Sequence, residues 1–238
     1  QREEFEEELR MLEVVPDYAA TVAVSLDGVL APMKDGDGPE KRAAAVENGQ
    51  QACGPAGYRE FGCGTLTFYD ESGNLLRGVR IARSPEPGKA TLKSMLAGEL
   101  GKVLAERPDL QLVALADGAK DNWTFLEGYV AKHVPKAVCI LDFFHAAEHL
   151  NDAFSAAYGD GVKSRATFDK YRRILLEDPD GVEKVIRAVA HLQKSHLRSK
   201  RLRQVLGYLR ENRHRMHYAA YRELDLPIGS GVVEAACK

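Results

Sequence analysis

The stretch "LQLVALADG", residues 110–118, decides the fold of this chain. Residues 112–116 are apolar at odd and even positions alike, which is typical of a central parallel strand that is covered on both faces. Asp117 and Gly118 then end the strand. A second run of this kind, "KAVCILD" at 136–142, follows a predicted helix over 121–134. Strands that alternate with helices in this way indicate an α/β fold with parallel pairing.

Three more strands are predicted before this unit. Residues 21–30 alternate between two faces, and the runs at 58–69 and 75–83 flank the turn "DESGN", as in a β-hairpin. An amphipathic helix is predicted over 90–106. The resulting order predicts a mixed five-stranded sheet with strand order 3-2-1-4-5. This is a ribonuclease H-like arrangement, in which the first strand lies parallel beside the fourth.

The remaining sequence predicts a helical region and a return to the core. The chain starts at Gln1 and ends at Lys238 with an apolar pattern still running, so we expect further sequence at both ends. The predicted organisation is a tail of a preceding helical region (1–17), the catalytic core (18–158), an all-helical insertion (159–226) and a truncated last core helix (227–238).

The composition is that of a soluble globular protein, with 45% hydrophobic and 29% charged residues. The net charge of −2 gives no indication of a partner. The four cysteines are too few for a disulfide scaffold at this length, so we expect reduced thiols. No apolar run approaches the ~18 residues of a membrane span, and no membrane association is predicted.

The aspartates at the ends of the first and fourth strands carry the first functional hypothesis. Asp27 and Asp117 are each followed by glycine. If the two strands are parallel neighbours, the two carboxylates meet at one sheet edge, where open α/β sheets commonly bind ligands. Paired carboxylates suit Mg²⁺, and two such ions can activate a nucleophile and stabilise a leaving oxygen. An Asp-Gly pair is also a common turn after a strand.

Glu234 is the third carboxylate of interest. An acidic residue in the first turn of a helix is favoured by the helix dipole and needs no further role. However, its neighbours in "GVVEAAC", residues 231–237, are small or apolar. A carboxylate buried among them needs a partner, and a cation shared with Asp27 and Asp117 would supply one.

Five motifs together resemble a bacterial insertion-sequence transposase of the DDE class, of the Kra-type group. The resemblance runs from about residue 20 to the end of the chain and rests on ordered motifs. They are "VSLDGVLAPM" (24–33), "GYREFGCGTLTFYD" (57–70), "LADGAKDNW" (115–123), "LDFFHAAEHL" (141–150) and "LPIGSGVVEAACK" (226–238).

The resemblance implies a ribonuclease H-like domain that cuts and joins DNA strands. Its catalytic and metal-binding triad falls on Asp27, Asp117 and Glu234, which would hold two Mg²⁺ ions, with Mn²⁺ able to substitute. "DFFH" is similar to the D-x-x-H motif of Mutator-like relatives. That similarity implies that Asp142 lies near the site and that His145, a further catalytic residue, contacts a phosphate.

The implied partners are double-stranded DNA and further copies of the chain. The DNA would be the transposon ends and the target, bound by a homodimer or a higher oligomer. The implied location is the bacterial cytoplasm, in association with the nucleoid.

A basic segment suggests where DNA would bind. Between residues 184 and 217 there are ten Lys or Arg and one acid, Glu211. Clustered positive charge is the electrostatic signature of a phosphate-binding surface, although a solvated helix face has the same composition. Trp123 is predicted to stack on an unpaired base or, alternatively, to pack on the sheet. The predicted DNA-binding residues are Lys194, Arg198, Lys200, Arg201, Arg203, Arg210, Arg213, Arg215 and Trp123.

Three alternatives stay open at this stage. The motif "HAAEH" at 145–149 fits the inverted-zincin pattern, with His145 and His149 as zinc ligands, Glu148 as general base and Glu223 as the third ligand. That hypothesis leaves the three triad carboxylates without a role. The others are a domesticated transposase that binds DNA without cutting it, and a ribonuclease H-like nuclease that has no transfer step.

Overall fold

The structure of this chain is a computed structural model, and it describes residues 15–32, 43–44, 46–49, 58–134 and 136–231. The predicted tail over 1–17 therefore lies almost entirely outside the described residues. The same is true of most of the predicted last core helix over 227–238, including Glu234.

The core is an α/β arrangement around one mixed, open sheet. Its five strands stand in the order β3-β2-β1-β4-β5. The β1–β2 and β2–β3 pairs are antiparallel, and the β1–β4 and β4–β5 pairs are parallel. The predicted strand order is thus confirmed. The strands are β1 (Thr21–Pro32), β2 (Tyr58–Tyr69), β3 (Leu75–Arg83), β4 (Gln111–Ala116) and β5 (Val138–Leu141).

The burial of the central strands explains why the strand order could be predicted from the sequence. Residues 112–116 of β4 are all buried, as are residues 21–26 of β1. Helices cover both faces there, so apolar side chains are needed at every position. β1 is longer than predicted because its pairing with β2 continues to Pro32 opposite Tyr58, whereas its pairing with β4 stops at Ser25.

Three helical segments accompany the sheet. They are α1 (Ala90–Glu106), α2 (Lys120–Phe125), which continues as a π-helical turn over Leu126–Ala131, and α3 (Phe143–Tyr158). Asp121 belongs to a residue type that often caps helices, but it is not the N-cap of α2. The N-cap is Ala119, which forms no side-chain cap, and Asp121 lies in the first turn. There its carboxylate accepts a hydrogen bond from Lys93 of α1 at 2.7 Å.

The chain from Val162 to Glu223 is mostly helical, as predicted, and residues 224–230 form no helix. Buried positions three or four residues apart within 182–192 and 202–209 join the sheet residues in one continuous apolar core. Tyr218 ties this region to the sheet because its hydroxyl donates to the Leu141 carbonyl oxygen at 3.0 Å. The helices are α4 (Val162–Glu177), α5 (Gly181–Ser195), α6 (Lys200–Asn212) and α7 (Tyr218–Glu223), with a 3-10 turn over Arg213–Arg215.

In the part of the chain that the structure describes, no helix combines the length and the apolar character that a bilayer crossing needs.

Candidate functional site at the carboxyl edge of the sheet

Asp27 and Asp117 lie at matching positions on neighbouring strands. The parallel pairing of β1 with β4 ends at Ser25 opposite Leu115. Each aspartate comes two residues after that last pair. The two therefore occupy equivalent places at the carboxyl edge, where the strands separate. We call the region around Asp27 and Asp117 the carboxylate edge.

Burial is the largest electrostatic influence on the Asp27 carboxylate. Burial raises the pKa of Asp27, and the negative charge of Asp117 raises it further. Three groups act in the opposite direction: the backbone amide of Gly28, which donates to Oδ1 at 2.7 Å, and the charges of His145 and Lys89. Because burial dominates, the net effect is an upward shift. A cation bound at this edge would lower the pKa of Asp27.

Asn122 holds the two strand ends together where the β-ladder stops. Its Nδ2 donates to the Leu26 carbonyl oxygen at 3.0 Å and to Oδ1 of Asp117 at 3.1 Å. The amide of Ala119 also donates to Oδ1 of Asp117, at 3.1 Å. Asn122 is only 2% exposed, so this link is part of the core. The Asp117 carboxylate is thereby fixed through one oxygen.

Asp142 is fully buried and links the start of α3 to Ser230. We call this link the Asp142–Ser230 clasp. It caps α3, because Oδ1 accepts from the backbone amide of His145 at 2.8 Å. Its Oδ2 accepts from the hydroxyl of Ser230 at 2.6 Å and from the Ser230 amide. The amide of Phe143 also donates to the Ile228 carbonyl oxygen at 2.9 Å. The segment that leads towards residue 234 is thus fastened to the start of α3.

Replacing Asp142 tests this clasp. We expect Asp142→Ala to lower the free energy of unfolding by about 2–3 kcal/mol, because it removes a helix cap and leaves the buried Ser230 donors without their acceptor. Chemical denaturation measures the loss. Ser199→Ala is the matched control, since Ser199 only caps α6 by accepting from the Leu202 amide at 3.3 Å. The control should lose about 1 kcal/mol, and equal losses in the two variants would contradict the clasp.

The residues of the HAAEH motif have different surroundings. Nδ1 of His145 lies 3.5 Å from Oε2 of Glu148, and its charge acts on Asp27. The ring of His149 packs on Tyr208 of α6, with 3.9 Å between ring centroids. Burial lowers the pKa of His149, and the charge of Arg201 adds to the shift. Glu223, the hypothetical third zinc ligand, lies exposed at the end of α7.

The donor chemistry of the carboxylate edge fits a hard divalent cation. Asp27 and Asp117 lie at matching positions after two neighbouring strands, and burial disfavours the charged form of Asp27. Carboxylate oxygens are ligands that Mg²⁺ prefers. Within the described part of the chain, the two hydrogen bonds to the Asp117 side chain both go to Oδ1. Among the described residues no group of three or more His, Cys, Asp or Glu side chains is arranged to hold a metal ion. The predicted third ligand, Glu234, lies outside those residues.

Replacing Asp27 by its amide tests the burial of its charge. Because the folded-state pKa is raised, the buried charge costs stability, and this cost grows as the pH rises above the unfolded value of about 3.9. We expect Asp27→Asn to raise the unfolding temperature at neutral pH, with a gain that shrinks as the pH falls. Mg²⁺ should stabilise the wild type more than the variant. Asp160→Asn, at an exposed position, should show neither effect. A lower unfolding temperature for Asp27→Asn at neutral pH would contradict the account.

The structure separates the predicted DNA-binding residues into two groups. Arg201 forms an ion pair with Asp152, and Nη1 of Arg213 lies 3.9 Å from Oε1 of Glu183. Those that are exposed lie on α5, on the loop between α5 and α6, on α6 and on the turn after α6. We call them the basic surface: Lys194, Arg198, Lys200, Arg201, Arg203, Arg210 and Arg213.

Arg215 and Trp123 do not belong to the basic surface. Arg215 is 7% exposed and pairs with the Glu127 carboxylate, and its guanidinium lies 3.9 Å from the centroid of the Trp123 ring. Trp123 is 4% exposed, and its Nε1 donates to the Asp117 carbonyl oxygen at 2.6 Å. In this structure the tryptophan therefore packs in the core, as in the second of the two alternatives, and its ring is covered.

Four residues of the site were not singled out from the sequence. They are Asn122, Tyr208, Lys89 and Glu60; Nζ of Lys89 lies 2.8 Å from Oε1 of Glu60 beside the carboxylate edge. The proximity of Asn122 to Asp117 in the sequence was a usable signal. Nothing local points to Tyr208, which is 91 residues from Asp117.

No protein-family model matches this chain, and no curated protein matches it significantly.

Proposed function

We propose that the chain is the catalytic domain of a DDE-type transposase with a ribonuclease H-like core, which cleaves and transfers DNA strands. The observation that carries the proposal is the register match of Asp27 and Asp117 on adjacent parallel strands. The confirmed strand order supports it, because this order is what brings the two strand ends together. The upward shift of the Asp27 pKa supports a site that is completed by cations.

The proposed mechanism assigns a role to each residue of the edge. Asp27 and Asp117 would bind the cations, and Glu234 is the predicted third ligand. Two bound Mg²⁺ ions would supply activation of a water or a DNA 3′-hydroxyl and stabilisation of the leaving oxygen. Asn122 orients the Asp117 carboxylate. His145, in the first turn of α3, would contact a phosphate oxygen near Asp27.

The basic surface supports DNA as the substrate. It presents Lys and Arg side chains in a chain that has a net charge of −2. Lys and Arg that neutralise DNA phosphates supply affinity without sequence preference. The assembly on DNA is proposed to be a homodimer or a higher oligomer, in the bacterial cytoplasm.

A strand-transfer assay on DNA that carries the sequences flanking the element tests the proposed function. The full-length protein should nick this DNA with Mg²⁺ or Mn²⁺ and join the released 3′-hydroxyl to a target. Binding without cleavage would favour the domesticated protein, and cleavage without joining would favour a nuclease. Stoichiometric zinc that is lost in His149→Ala would favour the peptidase. Each of these outcomes would overturn the transposase proposal.

A further inference from the structure

Tyr208 reaches from the helical region onto the loop that follows Asp117. A Cβ at residue 118 would overlap the Tyr208 ring, so glycine at this position allows the ring to lie directly on the backbone. The ring also packs on His149 of α3, with 3.9 Å between centroids. It therefore contacts both the loop after β4 and the helix after β5, beside the carboxylate edge.

The hydroxyl of Tyr208 lacks a hydrogen-bond partner within the described part of the chain, although the oxygen is buried. A buried polar group without a partner costs about 1–3 kcal/mol, so a bound group that accepts its hydrogen bond would recover this free energy. Burial raises the pKa of Tyr208, and the charges of Asp117, Asp142 and Glu148 raise it further. The phenol therefore keeps its proton at neutral pH and can act as a donor.

We propose that the Tyr208 hydroxyl donates a hydrogen bond to a phosphate oxygen of the DNA strand that is bound at the carboxylate edge. This inference rests on the proposed function. A carboxylate is acceptor-only, so the aspartates themselves offer an anionic phosphate no hydrogen bond. A lysine or arginine at this place would compete with cations for the carboxylates. A neutral phenol binds the phosphate oxygen and leaves the negative charge of the edge intact.

Tyr208→Phe removes only the hydroxyl and keeps both ring contacts. We expect the single-turnover cleavage rate to fall about 100-fold, at the lower end of the range for the loss of one donor to a developing charge. DNA affinity in EDTA should not change, because the basic surface supplies most of it. The unfolding temperature should stay at or above that of the wild type, since no existing hydrogen bond is lost.

Tyr221→Phe is the matched control in the same helical region. Its hydroxyl donates to the Cys139 carbonyl oxygen at 3.4 Å, away from the edge, so its cleavage rate should equal that of the wild type. A wild-type rate in Tyr208→Phe would overturn the inference. A fall in the unfolding temperature of Tyr208→Phe would also overturn it, since it would mean that the hydroxyl has a structural partner. If the wild type itself does not cleave DNA, the proposed function is wrong. If the wild type and Tyr208→Phe cleave DNA at the same rate, only the inference about Tyr208 is wrong.

Discussion

Asp117→Asn should reduce Mg²⁺-dependent strand cleavage by about 10³-fold or more while leaving DNA affinity within about twofold of the wild type. The amide retains an oxygen that can accept from the amides of Ala119 and Asn122, as Oδ1 of Asp117 does. The local fold should therefore persist. The variant lacks the negative charge that would bind a cation beside Asp27. Single-turnover nicking and equilibrium DNA binding measure the two effects separately.

Asp121→Asn is the matched control for this substitution. Asp121 is an exposed carboxylate four residues further along the same loop and helix, and its partner is Lys93. Its removal should leave cleavage unchanged. If Asp117→Asn retained full cleavage activity, the assignment of the carboxylate edge as the catalytic centre would be wrong.

The combined replacement of four cations of the basic surface should weaken DNA binding about 100-fold at low salt. The variant carries Gln in place of Arg198, Lys200, Arg201 and Arg203, all of which are exposed. Each phosphate contact that is lost also removes about 0.9 from the slope of log affinity against log salt. The ion pair of Arg201 with Asp152 makes its contribution smaller than that of the other three.

Four exposed cations elsewhere on the chain provide the control for net charge. Gln at Arg80, Arg83, Lys132 and Lys136 removes the same charge from β3 and from the segment before β5. This control should bind DNA much more tightly than the basic-surface variant. Unchanged affinity at low salt for the variant of Arg198, Lys200, Arg201 and Arg203 would contradict a DNA-binding role for this surface.

The sheet and its carboxylate edge were predictable because both depend on local patterns. The continuous apolar run at 112–116 is buried throughout, and the run at 138–141 is buried at 140 and 141 and partly buried before them. An aspartate follows each run. The rule that sequential strands and helices pack beside one another then leaves few topologies. The approach of Asp27 to Asp117 follows from the strand order.

The surroundings of the edge were not predictable because they depend on contacts between distant residues. From the basic segment alone, Arg215 is predicted to be a surface cation. In the structure it lies in the core, where it contacts Glu127 and Trp123, which are 88 and 92 residues away in the sequence. The Asp142–Ser230 clasp and the Tyr208–Gly118 contact arise in the same way. Asp121 matches the residue preference of an N-cap, but Ala119 occupies that position. The third predicted carboxylate, Glu234, stays a prediction.

A Mn²⁺ titration followed by electron paramagnetic resonance, with DNA bound, tests the central claim most directly. The comparison is between the wild type and the double variant Asp27→Asn, Asp117→Asn. The account predicts tightly bound Mn²⁺ in the wild type that Mg²⁺ displaces, and its loss in the double variant while DNA stays bound. Equal Mn²⁺ binding by both proteins would show that the carboxylate edge does not hold the catalytic cations.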